Sequence, residues 1–237
     1  MLAVLTRRWI SYGRSTTTYL VDDLGIARDR ILQIENCVDD ERFRGNVEPA
    51  VLEAPGPRAL VVGQLFGRKG VEELLRATAR VQQGGTAMSL IVAGTGPDLE
   101  RPSKLAATLD VREVHWLGHV SSDGMPSIYR TVDFLVFPKL EDVWELVVNE
   151  ALLSGTPVIC SIYAGCAEEL VPPDNRFHPT NPADFADVLH RAATGRIASA
   201  DRSTVKGTRE IGSIIVSDIE QRIGRAFGGD APSDISF

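Results

Sequence analysis

The chain has 237 residues, 43% of them apolar and 24% charged, with a formal net charge of −7. That length and apolar share allow one or two domains whose core needs no disulfide or metal staple. The acidic balance argues against a general nucleic-acid binder, which needs a basic face to neutralise phosphates, yet it leaves room for one small anionic ligand held by a few local cations.

In chain order, Met1–Ile10 is interrupted by Arg7 and Arg8 too early to serve as a signal peptide, and no later apolar run reaches the ~20 residues that span a bilayer. A cytoplasmic protein is expected, with peripheral membrane contact left open. Leu2–Pro57 offers one helix, Ser15–Leu24, and one strand, Ile31–Ile34, too little to bury a core of its own. From Arg58 the pattern alternates. Arg58–Val62 is a buried strand ending at Gly63, and Val71, Leu74, Leu75, Thr78 and Val81 then recur at helical spacing until Gly84 and Gly85. Met88–Ala93 is a second strand, followed by a polar helical stretch with Leu99 and Leu105. Val114–Leu117 and Asp133–Phe137 are the third and fourth strands. Leu146–Leu153 is a helix stopped by Gly155, Thr156–Cys160 a fifth strand, and Phe177-His178 a short sixth before a helix over 182–193. A polar stretch then leads to a helix over 211–227 and a polar tail.

Near-continuous apolar strands alternating with helices mean a parallel sheet covered on both faces, an α/β, doubly wound, Rossmann-like fold. Its ligands lie at the carboxyl ends of the strands, in the loops after Val62, Ala93, Leu117, Phe137 and Cys160. The domain reading is a first part over 1–57, a core domain over 58–195, and a linker, helix and tail over 196–237. Cys37, Cys160 and Cys166 form an odd set without a CxxC pair. Buried or loop thiols are expected, not a disulfide framework or zinc site.

Two segments carry chemistry. Gly63–Gly70, GQLFGRKG, is a glycine-bearing turn between the first core strand and its helix. Glycines let backbone approach a ligand, a helix N-terminus offers free amides, and Arg68 and Lys69 add charge where an anion would sit. A solvated turn with surface cations fits this octapeptide equally well. It is not GxGxxG, and no acidic residue ends the second strand, which disfavours a nicotinamide dinucleotide. The second segment, Leu140–Gly155, sets Glu141 and Asp142 in a loop and Glu150 inside the following helix. Asp142 and Glu150 fall about 8–12 Å apart along the axis, wider than a glycosidase acid/base pair and suited to bracketing a long ligand. The alternative is Asp142 as a helix cap and Glu150 as a partly exposed helix residue.

Together these segments resemble the nucleotide-sugar-binding, C-terminal domain of family-four glycosyltransferases of the GT-B fold. Leu65, Lys69 and Gly70 match the family's Gly-Arg-Leu-x-x-x-Lys-Gly turn. Asp142, Trp144, Glu150, Ala151, Gly155, Pro157 and Ser161 match its second motif, with seven residues between the two acids. Ile91–Pro97, Trp116–Val120, Tyr129–Pro138 and Asn181-Pro182 agree as well, so the likeness covers about Arg58–Ala193. It implies that Lys69 binds the donor diphosphate. The usual second cation, an Arg, is Gln64 here, and Arg68 is expected to supply the missing charge. Backbone groups of His119 and Val120 would meet the base. Glu150 would accept from the ribose hydroxyls, and Asp142 would face the sugar, near the amides of Trp144, Glu145 and Leu146. Family members typically retain anomeric configuration and need no metal, and no cofactor is expected.

Two departures stand out. Glu145 replaces a Gly, and its carboxylate competes with an anionic donor for the same helix dipole. Residues Trp9–Phe43 resemble only the end of the family's first domain, so a truncated protein is expected, without that domain's acceptor site and usual catalytic His. His115, His119, His178 and His190 do not match that His. Leu2, Val4, Trp9, Ile10, Tyr12 and Tyr19 are then expected to lose their cover. The leading expectation is a glycosyltransferase moving a sugar from a nucleoside diphosphate to a glycan, lipid or small acceptor, slow or inactive without a separate chain that supplies the acceptor domain. The alternatives are a non-catalytic nucleotide-sugar-binding or partner-regulating subunit and a sugar-nucleotide epimerase.

Overall fold

The computed structural model describes the backbone of residues 7–227. They divide into two compact units, one formed by the chain up to Val38 and from Lys206 on, the other by Asp39–Val205.

In the first unit, β1 (Trp9–Tyr12) pairs in parallel with β2 (Ile31–Ile34), Trp9 opposite Ile31 and Tyr12 opposite Ile34. The sequence pattern hid β1 because its inward residue is polar. Ser11 is buried against Thr17, hydroxyl to hydroxyl at 2.6 Å, while Ile10 and Tyr12 face out. The expected single helix over 15–24 is α1 (Gly13–Thr18) running into a π-helical turn, Tyr19–Asp23. That wider turn closes with the Ile26 amide donating to the Leu20 carbonyl, which seats Ile26 against Leu20 and Ile31, with Trp9 and Val21 packed alongside. A helix over Thr208–Phe227 completes the unit. Lys206 meets Glu35 at 3.1 Å, and Arg8 pairs with Asp218. Ile10, Tyr12 and Tyr19 are 46%, 49% and 54% exposed and Trp9 is half-buried. Leu2 and Val4 lie outside the described residues.

The second unit begins with a short helix, α2 (Asp40–Arg44), and holds six parallel strands: β3 (Arg58–Val62), β4 (Ser89–Ala93), β5 (Val114–Gly118), β6 (Phe134–Phe137), β7 (Val158–Ser161) and β8 (Arg176–Phe177). Their order is β5-β4-β3-β6-β7-β8. Every residue of β4, β6 and β7 is buried, as a sheet covered on both faces requires. Around them lie α3 (Val71–Gln83), α4 (Glu100–Thr108), α5 (Met125–Thr131), α6 (Val147–Ser154), α7 (Ala167–Leu170) and α8 (Pro182–Ala193). The apolar stripe of α3 packs on α8, where Phe185 stacks on Phe177 of β8 at 3.9 Å between ring centroids. Asn181 caps α8 by accepting from the Ala183 and Asp184 amides, with Pro182 at its first turn. Cys160 and Cys166 are buried thiols, not a disulfide, and burial pushes the Cys160 thiol up to about 12.

This order is the doubly wound pattern the sequence implies. From β3 the chain steps outward through β4 to β5, then returns to place β6 on the other side of β3. The reversal between β3 and β6 is the topological switch point, where open α/β sheets bind ligands beyond the strand carboxyl ends.

Candidate functional site

The loops at that edge are tied to one another through backbone. The Gly63 amide donates to the Ala93 carbonyl, the Leu65 amide to Thr95, the Gly94 amide to Gly118 and the Leu140 amide to Arg68. Glycines make this closeness sterically available. A Cβ on Gly70, which sits at φ +71°, would fall 1.8 Å from the Pro138 carbonyl oxygen, and one on Gly94 would fall 1.9 Å from that of Gly63. The turn after β3 is thereby pressed against the loop after β6.

Lys69 follows β3 at the end of a short 3-10 turn, Gly67–Lys69. Lys139 follows β6, one residue past Pro138, and is 1% exposed. A Cβ built on Gly63 would lie 3.9 Å from the Nζ of both lysines, so the two ammonium groups converge on one point at the switch point. Glu145 lies between them: one carboxylate oxygen takes Lys69, the other takes Lys139 at 2.7 Å. Burial drives the Lys139 ammonium down, and Lys69 adds to that against the opposing pull of Glu145, leaving it at about 8. Burial works against the Glu145 carboxylate too, but the two lysines outweigh it and hold the group below the usual carboxylate range.

Asp142 is turned onto the backbone, its carboxylate accepting from the Glu145 amide at 3.3 Å. Burial pushes its carboxyl up, more than that amide and Lys139 pull it down. Helix α6 begins only at Val147, with Leu146 as its half-buried cap residue. Of the three amides the sequence assigns to the sugar, that of Glu145 is engaged by Asp142. Trp144 is buried, its indole N–H donating to Asn149 at 3.0 Å.

Glu150 sits one turn into α6 and accepts from the hydroxyl of Tyr129 on α5 at 2.8 Å. Burial raises its carboxyl pKa, against that hydroxyl and the charge of Arg42. Gln64 and Arg68 are exposed on the turn after β3. His119, exposed, and Val120, half-buried, follow β5, two strands from the switch point. Hydrogen bonds and charge thus join Lys69, Asp142 and Glu145 directly, while Glu150 pairs with Tyr129. Sequence reading missed Lys139 and the role of Tyr129. The readable signal for the first was a lysine two residues past an all-apolar strand. Among the described residues, no group of three or more His, Cys, Asp or Glu side chains could hold a metal ion, and no helix is long and apolar enough to cross a membrane.

Comparison with known proteins agrees with this architecture. The chain is 33% identical over 130 residues to an uncharacterized glycosyltransferase of Methanocaldococcus jannaschii, covering 54% of this chain and 33% of that protein. It is 32% identical over 199 residues to the D-inositol 3-phosphate glycosyltransferase of Nocardia farcinica, covering 77% of this chain and 44% of that protein. It therefore spans less than half the length of either relative. Among solved structures, sucrose-phosphate synthase from Thermosynechococcus elongatus superposes with a TM-score of 0.74 at 20% identity, covering 95% of this chain and 61% of that one. The lipopolysaccharide outer core galactosyltransferase WaaB gives 0.71 at 20% identity, over 90% and 62%. Anabaena HepE in complex with UDP and glucose gives 0.72 at 16% identity, over 91% and 63%. At these identities the structures speak for the fold alone, that of GT-B glycosyltransferases. The sequence model for glycosyl transferases group 1 matches residues 56–194, most of the unit that carries the six-stranded sheet. With more than half its length matched, the chain belongs to the glycosyl transferases group 1 family.

Proposed function

We propose that the chain binds a nucleoside-diphosphate sugar across the crevice between the loops after β3 and β6 and transfers its glycosyl group with retention, without a metal ion. One observation carries this reading: Lys69 and Lys139, from the two strands that flank the switch point, bring their ammonium groups to one spot. Two cations there oppose the charge that builds on a departing diphosphate, which is the main catalytic demand of such a transfer. In this reading Lys69 holds the diphosphate, Glu150 accepts from the ribose and Asp142 faces the sugar. Gln64 and Arg68 edge the phosphates, and backbone groups of His119 and Val120 meet the base. The acceptor, a glycan, lipid or small molecule, is bound outside these residues.

A second reading, a donor-binding subunit that turns over only with a partner chain, draws support from Glu145, whose carboxylate lies on Lys69. Titration calorimetry with UDP, GDP and ADP tests what the two readings share. Saturable binding of at least one is expected, and no binding of any overturns both. Release of sugar from the matching nucleotide sugar, or its transfer to an added acceptor, by the purified chain alone then favours the first reading over the second.

A further inference from the structure

The two lysines and the glutamate between them are difficult to account for as structure alone. Lys139 is buried, its nearest charged neighbours are a second ammonium group and one carboxylate, and its amine lies 5.1 Å from the Phe137 ring centroid. Taking charges out of water is costly, and an apolar side chain of similar volume is often as stabilising or more so. Packing therefore gives no reason for a lysine here. Anion binding does: the Lys139 ammonium faces the same point as that of Lys69, beside a glycine whose missing side chain leaves the space open. Gln64 offers no charge on the turn after β3, and Arg68, on the same turn, is exposed to solvent.

The anion already on both ammonium groups is the carboxylate of Glu145. It spans the pair with one oxygen on each ammonium group, as two non-bridging oxygens of a phosphate would. Asp142, whose carboxyl also feels the Lys139 charge, is held by the Glu145 amide. Resting on the donor-binding reading, we infer that Lys139 is the second phosphate-binding cation of this site, standing in for the charge that Gln64 lacks, and that the Glu145 carboxylate is an internal surrogate for the donor phosphate which must swing aside before a diphosphate binds. Glu145 lies in the loop ahead of α6 and has the most exposed side chain of the three, 31% of the side chain against 11% for Lys69 and 2% for Lys139, so it is the member with room to leave. The site then binds below its intrinsic affinity by the fraction of molecules in which the carboxylate is seated.

Calorimetry with UDP, GDP and inorganic pyrophosphate on four proteins tests this: the parent chain, Glu145→Gln, Lys139→Met and the double variant. Glu145→Gln, nearly isosteric and neutral, is expected to tighten binding about tenfold, as if a nine-tenths-populated competitor were removed. Lys139→Met is expected to weaken it about tenfold or more, the usual loss on removing a charged hydrogen-bond donor. In the double variant the buried pair is neutral on both sides, so it reports on Lys139 if the single variant fails to fold; binding weaker than in Glu145→Gln is expected. A merely structural ion pair gives the other pattern, a lower melting temperature in Glu145→Gln with affinity unchanged or reduced, and that result overturns the inference. So does Lys139→Met binding like the parent. In both cases a parent chain that still binds a nucleoside diphosphate leaves the donor-binding reading standing. No binding of any probe by the parent or by Glu145→Gln removes both.

Discussion

Glu150 is fixed by a side-chain partner, the Tyr129 hydroxyl. Its carboxylate takes that hydroxyl and remains only partly buried, and in the proposed reading its other lone pairs accept from a ribose. Glu150→Ala is expected to weaken nucleoside-diphosphate binding by about 1–3 kcal/mol, the range for hydrogen bonds to a charged acceptor. Unchanged affinity in a folded variant, read by calorimetry, would remove Glu150 from the site. Lys139 offers a separate handle through pH. Its folded-state value of about 8 lies below the ordinary 10.5. Between the two, the unfolded chain holds a proton that the native state has shed, so stability is expected to rise with pH across that window. Urea unfolding at several pH values from about 8 upward checks this. Lys139→Met is expected to flatten the rise, and parallel curves would mean that Lys139 does not titrate there. At this scale the sequence marked Asp142 and Glu150 through spacing, Lys69 through its glycine-bearing turn, and Glu145 through its departure from the family pattern. It gave Lys139 no weight, because the burial that makes a lysine informative is a property of the fold.

Among the elements, the seam between the turn after β3 and the loop after β6 depends on Gly70. A side chain there meets both a left-handed backbone and the Pro138 carbonyl, 1.8 Å from the added Cβ. Gly70→Ala is expected to cost about 2–5 kcal/mol, backbone strain and overpacking combined, and to misplace Lys69. Denaturant unfolding measures the first and nucleotide affinity the second. A loss under about 1 kcal/mol, the ordinary Gly-to-Ala scale, would mean the seam relaxes freely. The core strands were legible because a parallel sheet covered on both faces writes itself as short, continuous apolar runs. Helix α8 was legible from its Asn-Pro start. Strand β1 was not, since its buried residue is Ser11 and its outward ones are Ile10 and Tyr12, the reverse of the alternation a half-buried strand displays.

For the whole molecule, the first unit sets the expected solution behaviour. Among the described residues its sheet has two strands, and Ile10 and Tyr12 on β1, with Tyr19 nearby in sequence, stand about half exposed. Outward apolar side chains on so small a sheet favour association between copies. Light scattering over a range of concentrations is expected to show the mass rising, and Tyr12→Ser with Tyr19→Ser is expected to suppress the rise. A constant monomer mass in the parent chain would show that this face tolerates solvent.

By itself the sequence determined the doubly wound α/β class, the order of the core elements and the family, because each rests on local periodicity and on motifs read along the chain. Only the tertiary structure decided that the reversal of strand order falls between β3 and β6, that Lys139 joins Lys69 there, and that the Glu145 carboxylate bridges them. Lys69 and Glu145 are 76 residues apart in sequence. No local pattern records such a meeting; it arises when parallel strands bring the ends of distant segments to one edge of the sheet, where charge, burial and proximity are fixed together.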